Sequence, residues 1–147
     1  MTRSVESGVI FLARLLLAVL FLWGGAMKLA GHVEFTAYLN GLGVPLPSVA
    51  APLLIVLEGL GSLLLVLGFR VRLIALLLAG YTVASALIGY NFWDATDPEI
   101  QHDMVVHFWQ NFAIAGGFLL LWVTGAGGFS IDGLRRPSAA SFLKPRG

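Results

Sequence analysis

One carboxylate interrupts the stretch "PLLIVLEGLGSLLLVLGF", Pro52 to Phe69, which is otherwise apolar almost throughout. A charge at that depth of a hydrocarbon-spanning segment is costly, so Glu58 must be paired, neutralised or at work on something. Two other residues fall near its level. Arg14 lies inside an apolar run near the start of the chain, and Tyr81 inside a third run. Counted from Phe69, Glu58 is about 16 Å deep; Arg14, counted from the same side, is about 9 Å deep. The gap of about 7 Å is within an arginine's reach. The expectation is that Arg14 and Glu58 face the interior and pair, directly or through water, with Tyr81 close by. Ser62, one turn on, shares the face of Glu58. Such a group is either an ion pair that sets helix register or a polar floor at which Glu58, Arg14 and Tyr81 donate hydrogen bonds or move protons.

A second polar set gathers elsewhere: Lys28, His32, Glu34, Asn91, His102, Asp103, His107 and Asn111. Asp103, His107 and Asn111 follow i, i+4 spacing and share one helix face. Imidazole beside carboxylate is weak metal-ligand chemistry here, because the spacing of His102, Asp103 and His107 matches no zinc motif. These residues read either as solvated interfacial groups or as the lining of a pocket that opens outward. Trp93, Trp109 and Phe92 lie at the level of an aromatic belt. With no cysteine in the chain, thiolate-held iron–sulfur clusters and disulfide chemistry are excluded. A haem held between spans usually needs a His on each of two, and only His107 lies in or near one.

The elements that position these groups follow from composition. Of 147 residues, 58% are hydrophobic and 12% charged, with mean hydropathy +0.87. Soluble domains carry about 25% charged residues. Four apolar runs, about Gly8–Leu29, Val49–Phe69, Leu73–Trp93 and Met104–Thr124, are each long enough to cross a bilayer. The backbone must satisfy itself there, so the spans are helices. The first run is too long for a signal-peptide core and carries Arg14, which makes it a retained helix. The predicted fold is all-α, an antiparallel four-helix transmembrane bundle.

Charges set its expected orientation. Arg3, Arg70, Arg72, Arg135, Arg136, Lys144 and Arg146 fall on one side, and only Lys28 on the other, with Glu34, Asp94, Asp97, Glu99 and Asp103. The positive-inside rule then places both termini in the cytoplasm. "GFRVR" forces an antiparallel pair, and the first outer loop has room for a short amphipathic helix around His32–Leu39, with Phe35, Tyr38 and Leu39 on one face. Small residues at Gly59, Gly61, Ala75, Ala79, Ala113 and Gly117 suit close helix contact. Residues 135–147 read as a basic cytoplasmic tail on anionic headgroups. The net charge of +1 gives no sign of nucleic-acid binding.

The motifs resemble the DoxX family. "LARLLLAVLFLWGGAMKLAG" is similar to that family's first span, with its Arg, late Gly and Lys at Arg14, Gly25 and Lys28. "YLNGLGVP" and "APLLIVLEGLGSLLLVLGF" resemble its loop and acidic second span, and "FWQNFAIAGGFLLL" its fourth, with Asn111, Gly116 and Gly117. The likeness runs from about Gly8 to Leu134; Tyr90 stands where relatives often carry His. The resemblance implies a four-helix bacterial inner-membrane protein linked to respiratory or oxidative-stress oxidoreductase assemblies, thiosulfate:quinone oxidoreductases among them. The expected function is then an oxidoreductase-associated subunit, with no redox cofactor of its own, that binds a quinone or similar apolar molecule. Arg14, Glu58 and Tyr81 would serve its oxygens, while Lys28, Asn111 and Trp23 line the ligand's outer wall. Two rivals stand beside it: a membrane scaffold recruiting soluble redox enzymes, and a small transporter or channel subunit, which would need to dimerise to make a path. Partners are thus the bilayer, a redox enzyme and a second copy.

Overall fold

The computed structural model describes residues 3–135; the basic tail beyond Arg135 lies outside the described residues. Four long helices make the molecule: α1 (Arg3–Ala30), α3 (Pro47–Leu67), α4 (Val71–Gly89) and α5 (Pro98–Thr124). Between α1 and α3 lies the short α2 (His32–Gly41), a 3₁₀ turn at Phe92–Asp94 leads into α5, and α6 (Ile131–Leu134) follows it. All four long helices are long and apolar enough to cross a membrane. No strand occurs among the described residues.

Length separates the four. With 21 and 19 residues, α3 and α4 rise about 32 and 29 Å, which matches a hydrocarbon core of about 30 Å. With 28 and 27 residues, α1 and α5 reach about 42 and 40 Å and overhang it. The overhang of α5 comes from its start at Pro98, where Asp97 accepts from the Glu99 and Ile100 amides at 2.9 and 3.3 Å and Pro98 needs no acceptor for an N–H. That cap moves the start six residues ahead of Met104. The third span, expected to reach Trp93, ends as a helix at Gly89.

Packing runs in antiparallel pairs, α1 along α3 and α4 along α5, with α2 folded back on α3. Phe21, Leu65, Leu78, Phe118 and Leu121 fill the core, with Ala18, Ala75 and Ala79 letting the helices approach. Gly61 and Gly117 sit against side chains of α4 and α1, as small residues at helix contacts do. Ala113, by contrast, is exposed, and Gly59 meets α1 through its backbone beside Gly25, while a side chain on Gly59 itself would meet nothing. Large apolar side chains such as Leu16, Leu53, Leu120 and Val123 cover the outside, the normal surface of a protein solvated by lipid.

At the end where α3 stops, Gly68 takes the left-handed region (φ 72°) and its amide reaches Leu65 O while Phe69 N reaches Leu64 O. This Schellman arrangement needs a residue with no Cβ penalty. Asp132 then caps the next helix, accepting from the Arg70 and Val71 amides at 3.0 Å each. The segment after α5 is thereby tied to the α3–α4 turn.

Candidate functional site

Glu58 is 2% exposed, midway along α3. Its Oε1 accepts from both Lys28 Nζ and Tyr81 OH. Lys28 Nζ also lies 3.2 Å from Tyr81 OH, so the ammonium donates to the phenol oxygen while the phenol donates to the carboxylate. The three helices α1, α3 and α4 thus meet at one oxygen. The other oxygen, Oε2, is buried with no hydrogen-bond partner among the described residues. Ser62 does not help it, since its hydroxyl bonds the backbone carbonyl of Glu58 at 2.5 Å.

The expected Arg14–Glu58 pair does not form. Arg14 is fully buried, but its guanidinium donates to four carbonyls: Leu65 O (2.8 Å), Val66 O (2.7 Å), Ala126 O (2.5 Å) and Phe129 O (2.9 Å). The reason is direction. Side chains on a helix lean toward its N-terminus, so Arg14 reaches away from Glu58 to the last turn of α3. There the carbonyls lack intrahelical donors and the helix dipole is negative. The same lean carries Lys28 one turn back along α1, to the level of Gly24 and Gly25, where Glu58 sits. A Cβ at Gly24 would lie 3.2 Å from Glu58 Oε2 and 4.0 Å from Lys28 Nζ. A Cβ at Gly25 would lie 3.2 Å from both Glu58 Cβ and the Gly59 amide. The two glycines open the room in which the ion pair forms.

A cavity of about 380 Å³ borders the triad between α1, α4 and α5. Phe21, Leu20 and Ile114 give it apolar walls; Ser85, Gln110 and Asn111 give it polar ones. Tyr90 and His107 line its far end, their rings 5.3 Å apart at a 33° tilt. Asn111 holds its place by donating to His107 O at 2.8 Å. A second chamber of about 350 Å³ lies under α2, lined by Phe35, Leu39 and Leu54, and it shares Lys28, Tyr81, Ser85 and Tyr90 with the first. Lys28 therefore stands between the two, its ammonium 5.4 Å from the Phe35 ring centre and 5.7 Å from that of Tyr81.

Of the residues expected to line a ligand site, Glu58, Tyr81, Lys28 and Asn111 come together here. Lys28 is the carboxylate's partner and not an outer wall. Trp23 does not join them; it is 71% exposed on the outside of α1. The inward face of α1 runs through Arg14, Ala18, Phe21 and Gly25, and two residues past Phe21 is about 200° around the helix. His102 and Asp103 are exposed at the start of α5. Asp103 pairs only with His107, at 3.4 Å, and among the described residues no three His, Asp or Glu side chains gather as a metal site. Sequence reasoning missed Phe21, Gly24, Ser85 and Gln110. Gly24 had a signal, since a glycine four residues before a lysine leaves space under its ammonium.

A family model, DoxX, matches residues 9–91, which takes in Arg14, Lys28, Glu58 and Tyr81 but not α5. Inner membrane protein YphA of Escherichia coli (strain K12) is 38% identical over 124 residues, covering 84% of this chain and 88% of that protein. Inner membrane protein YqjF of the same organism is 35% identical over 133 residues, covering 90% of this chain and 95% of that protein. No solved structure matches. With a family match over more than half its length, inner-membrane relatives aligned over most of it and four membrane-length helices, the chain is an inner-membrane protein and belongs to the DoxX family.

Proposed function

We propose that the protein is an oxidoreductase-associated membrane subunit that binds a quinone or a similar small apolar molecule inside the bundle. The observation that carries this reading is the buried Glu58 with one oxygen unsatisfied, beside a cavity with aromatic and aliphatic walls. Small-molecule sites commonly have that composition, with a few polar groups set among apolar ones. Arg14 drops out of the chemistry, because carbonyls occupy its donors. What remains is Lys28, Glu58 and Tyr81, a chain of three groups able to pass a proton between them. When bound, a quinone supplies two-electron redox chemistry. This chain's side chains orient its ring and carry protons, and the electrons belong to a partner redox enzyme.

The test is a titration of purified full-length protein in lipid nanodiscs with a short-tailed quinone, followed by thermal unfolding. A concentration-dependent rise in melting temperature, lost in Tyr81→Phe and Asn111→Leu together, is the expected result. No shift for the unmodified protein with either the quinone or its hydroxyl-bearing quinol at saturation removes the reading.

A further inference from the structure

We propose that the ligand at this site presents a hydroxyl that donates to Glu58, so that phenols and other hydroxyl-bearing apolar molecules are preferred over those with only carbonyl or ether oxygens. The proposal rests on the reading above that the cavity takes a small apolar molecule, and it specifies the chemistry of that molecule's polar end. A carboxylate has about four lone-pair positions. Oε1 uses two of its own on Lys28 and Tyr81. Oε2, on a side chain 2% exposed, uses none. The Tyr81 proton is already committed to Glu58, so the phenol has no proton left to offer a ligand carbonyl. Lys28 has given two of its three N–H groups, to Glu58 and to the Tyr81 oxygen. The larger unused capacity, two lone pairs on Oε2 against one N–H on Lys28, thus suits a donor.

Two features make the acceptor reachable. Glu58 itself lines the cavity, so its carboxylate is within reach of a molecule held there. Gly24, which lines the same cavity, leaves open the space that Oε2 faces. An acceptor that is anionic and shielded from water forms stronger hydrogen bonds than a neutral one. The aromatic wall suits a ring: Phe21 lies edge-on to Tyr81 at 6.3 Å, and Tyr90 and His107 line the other end. An aromatic alcohol therefore finds both partners it needs, a face to pack on and an acceptor for its proton.

The experiment compares three probes on the unmodified protein in nanodiscs: 4-hexylphenol, its methyl ether and a quinone of matched size, read by isothermal titration and thermal shift. The expected result is that the phenol binds about tenfold or more tightly than either of the others, the difference made by one charge-assisted hydrogen bond. In Glu58→Gln the preference narrows or reverses, because the amide brings a donor to the same place. Equal binding of phenol and ether overturns the proposal while the cavity reading stands. Binding of none of the three overturns both. If Glu58→Gln fails to fold, the three-probe comparison on the unmodified protein decides alone.

Discussion

Gly24 and Gly25 are neighbours with opposite tolerances. Replacing a glycine in a helix interior with alanine gains about 1 kcal/mol in propensity. At Gly24 the new methyl would press, at 3.2 Å, on the far end of the Glu58 side chain, which can turn away. At Gly25 it would press at the same distance on Glu58 Cβ and the Gly59 backbone, which cannot move unless α1 and α3 separate. Overpacking of that kind costs about 1–3 kcal/mol. Gly24→Ala is therefore expected to melt at or above the unmodified temperature but to bind the phenol probe more weakly, since it fills the space before Oε2. Gly25→Ala is expected to melt lower. Equal melting temperatures for the two variants would contradict this account.

At the scale of the elements, Arg14 is a fastener. Its four bonds join the last turn of α3 to the segment between α5 and α6, while Asp132 takes the α4 amides and gives its own amide to Gly68 O at 2.9 Å. Lysine carries the same charge but no planar fork, so it cannot reach four carbonyls set around one plane. Each buried carbonyl left without a donor costs about 1–3 kcal/mol. Arg14→Lys is expected to lower stability by at least about 2 kcal/mol in detergent unfolding. An unchanged melting point would remove the fastening role. The four apolar helices, the short helix near His32–Leu39 and the shared level of Glu58 and Tyr81 were legible in apolar runs and residue counting. The partner of Glu58 was not. Counting gives a level along the axis but not the direction in which a side chain leans, and lean is what gave Lys28 to Glu58 and Arg14 to the carbonyls. Rotation about the axis was likewise missed for Trp23, whose position two residues past Phe21 puts it on the lipid side. The start of α5 was written in "TDPE", a cap followed by a first-turn proline, but it lies in a polar stretch that a search for apolar runs passes over.

For the molecule as a whole, the antiparallel packing sorts the described charges into two ends. Arg3, Arg70, Arg72 and Arg135 lie where α1 starts and α3 and α5 stop, with Glu6 and Asp132 among them, and Glu34, Asp94, Asp97, Glu99 and Asp103 lie at the other end. Lys28, the one Lys or Arg near the acidic end among the described residues, is bound to Glu58 and adds no free charge there. The basic end should therefore face the cytoplasm. Glu58 lies nine residues from Leu67 and eleven from Pro47, close to mid-membrane, while the cavity runs from it to His107, toward the acidic end. A ligand would then enter from the outer half of the bilayer. Because the chain has no cysteine, single cysteines report each end without background. Asp94→Cys and Arg135→Cys are both at exposed positions. A membrane-impermeant maleimide should label the first in intact cells stripped of their outer membrane, and the second only after the inner membrane is broken. Labelling in the reverse order would invert the protein and move the cavity's mouth to the cytoplasmic side.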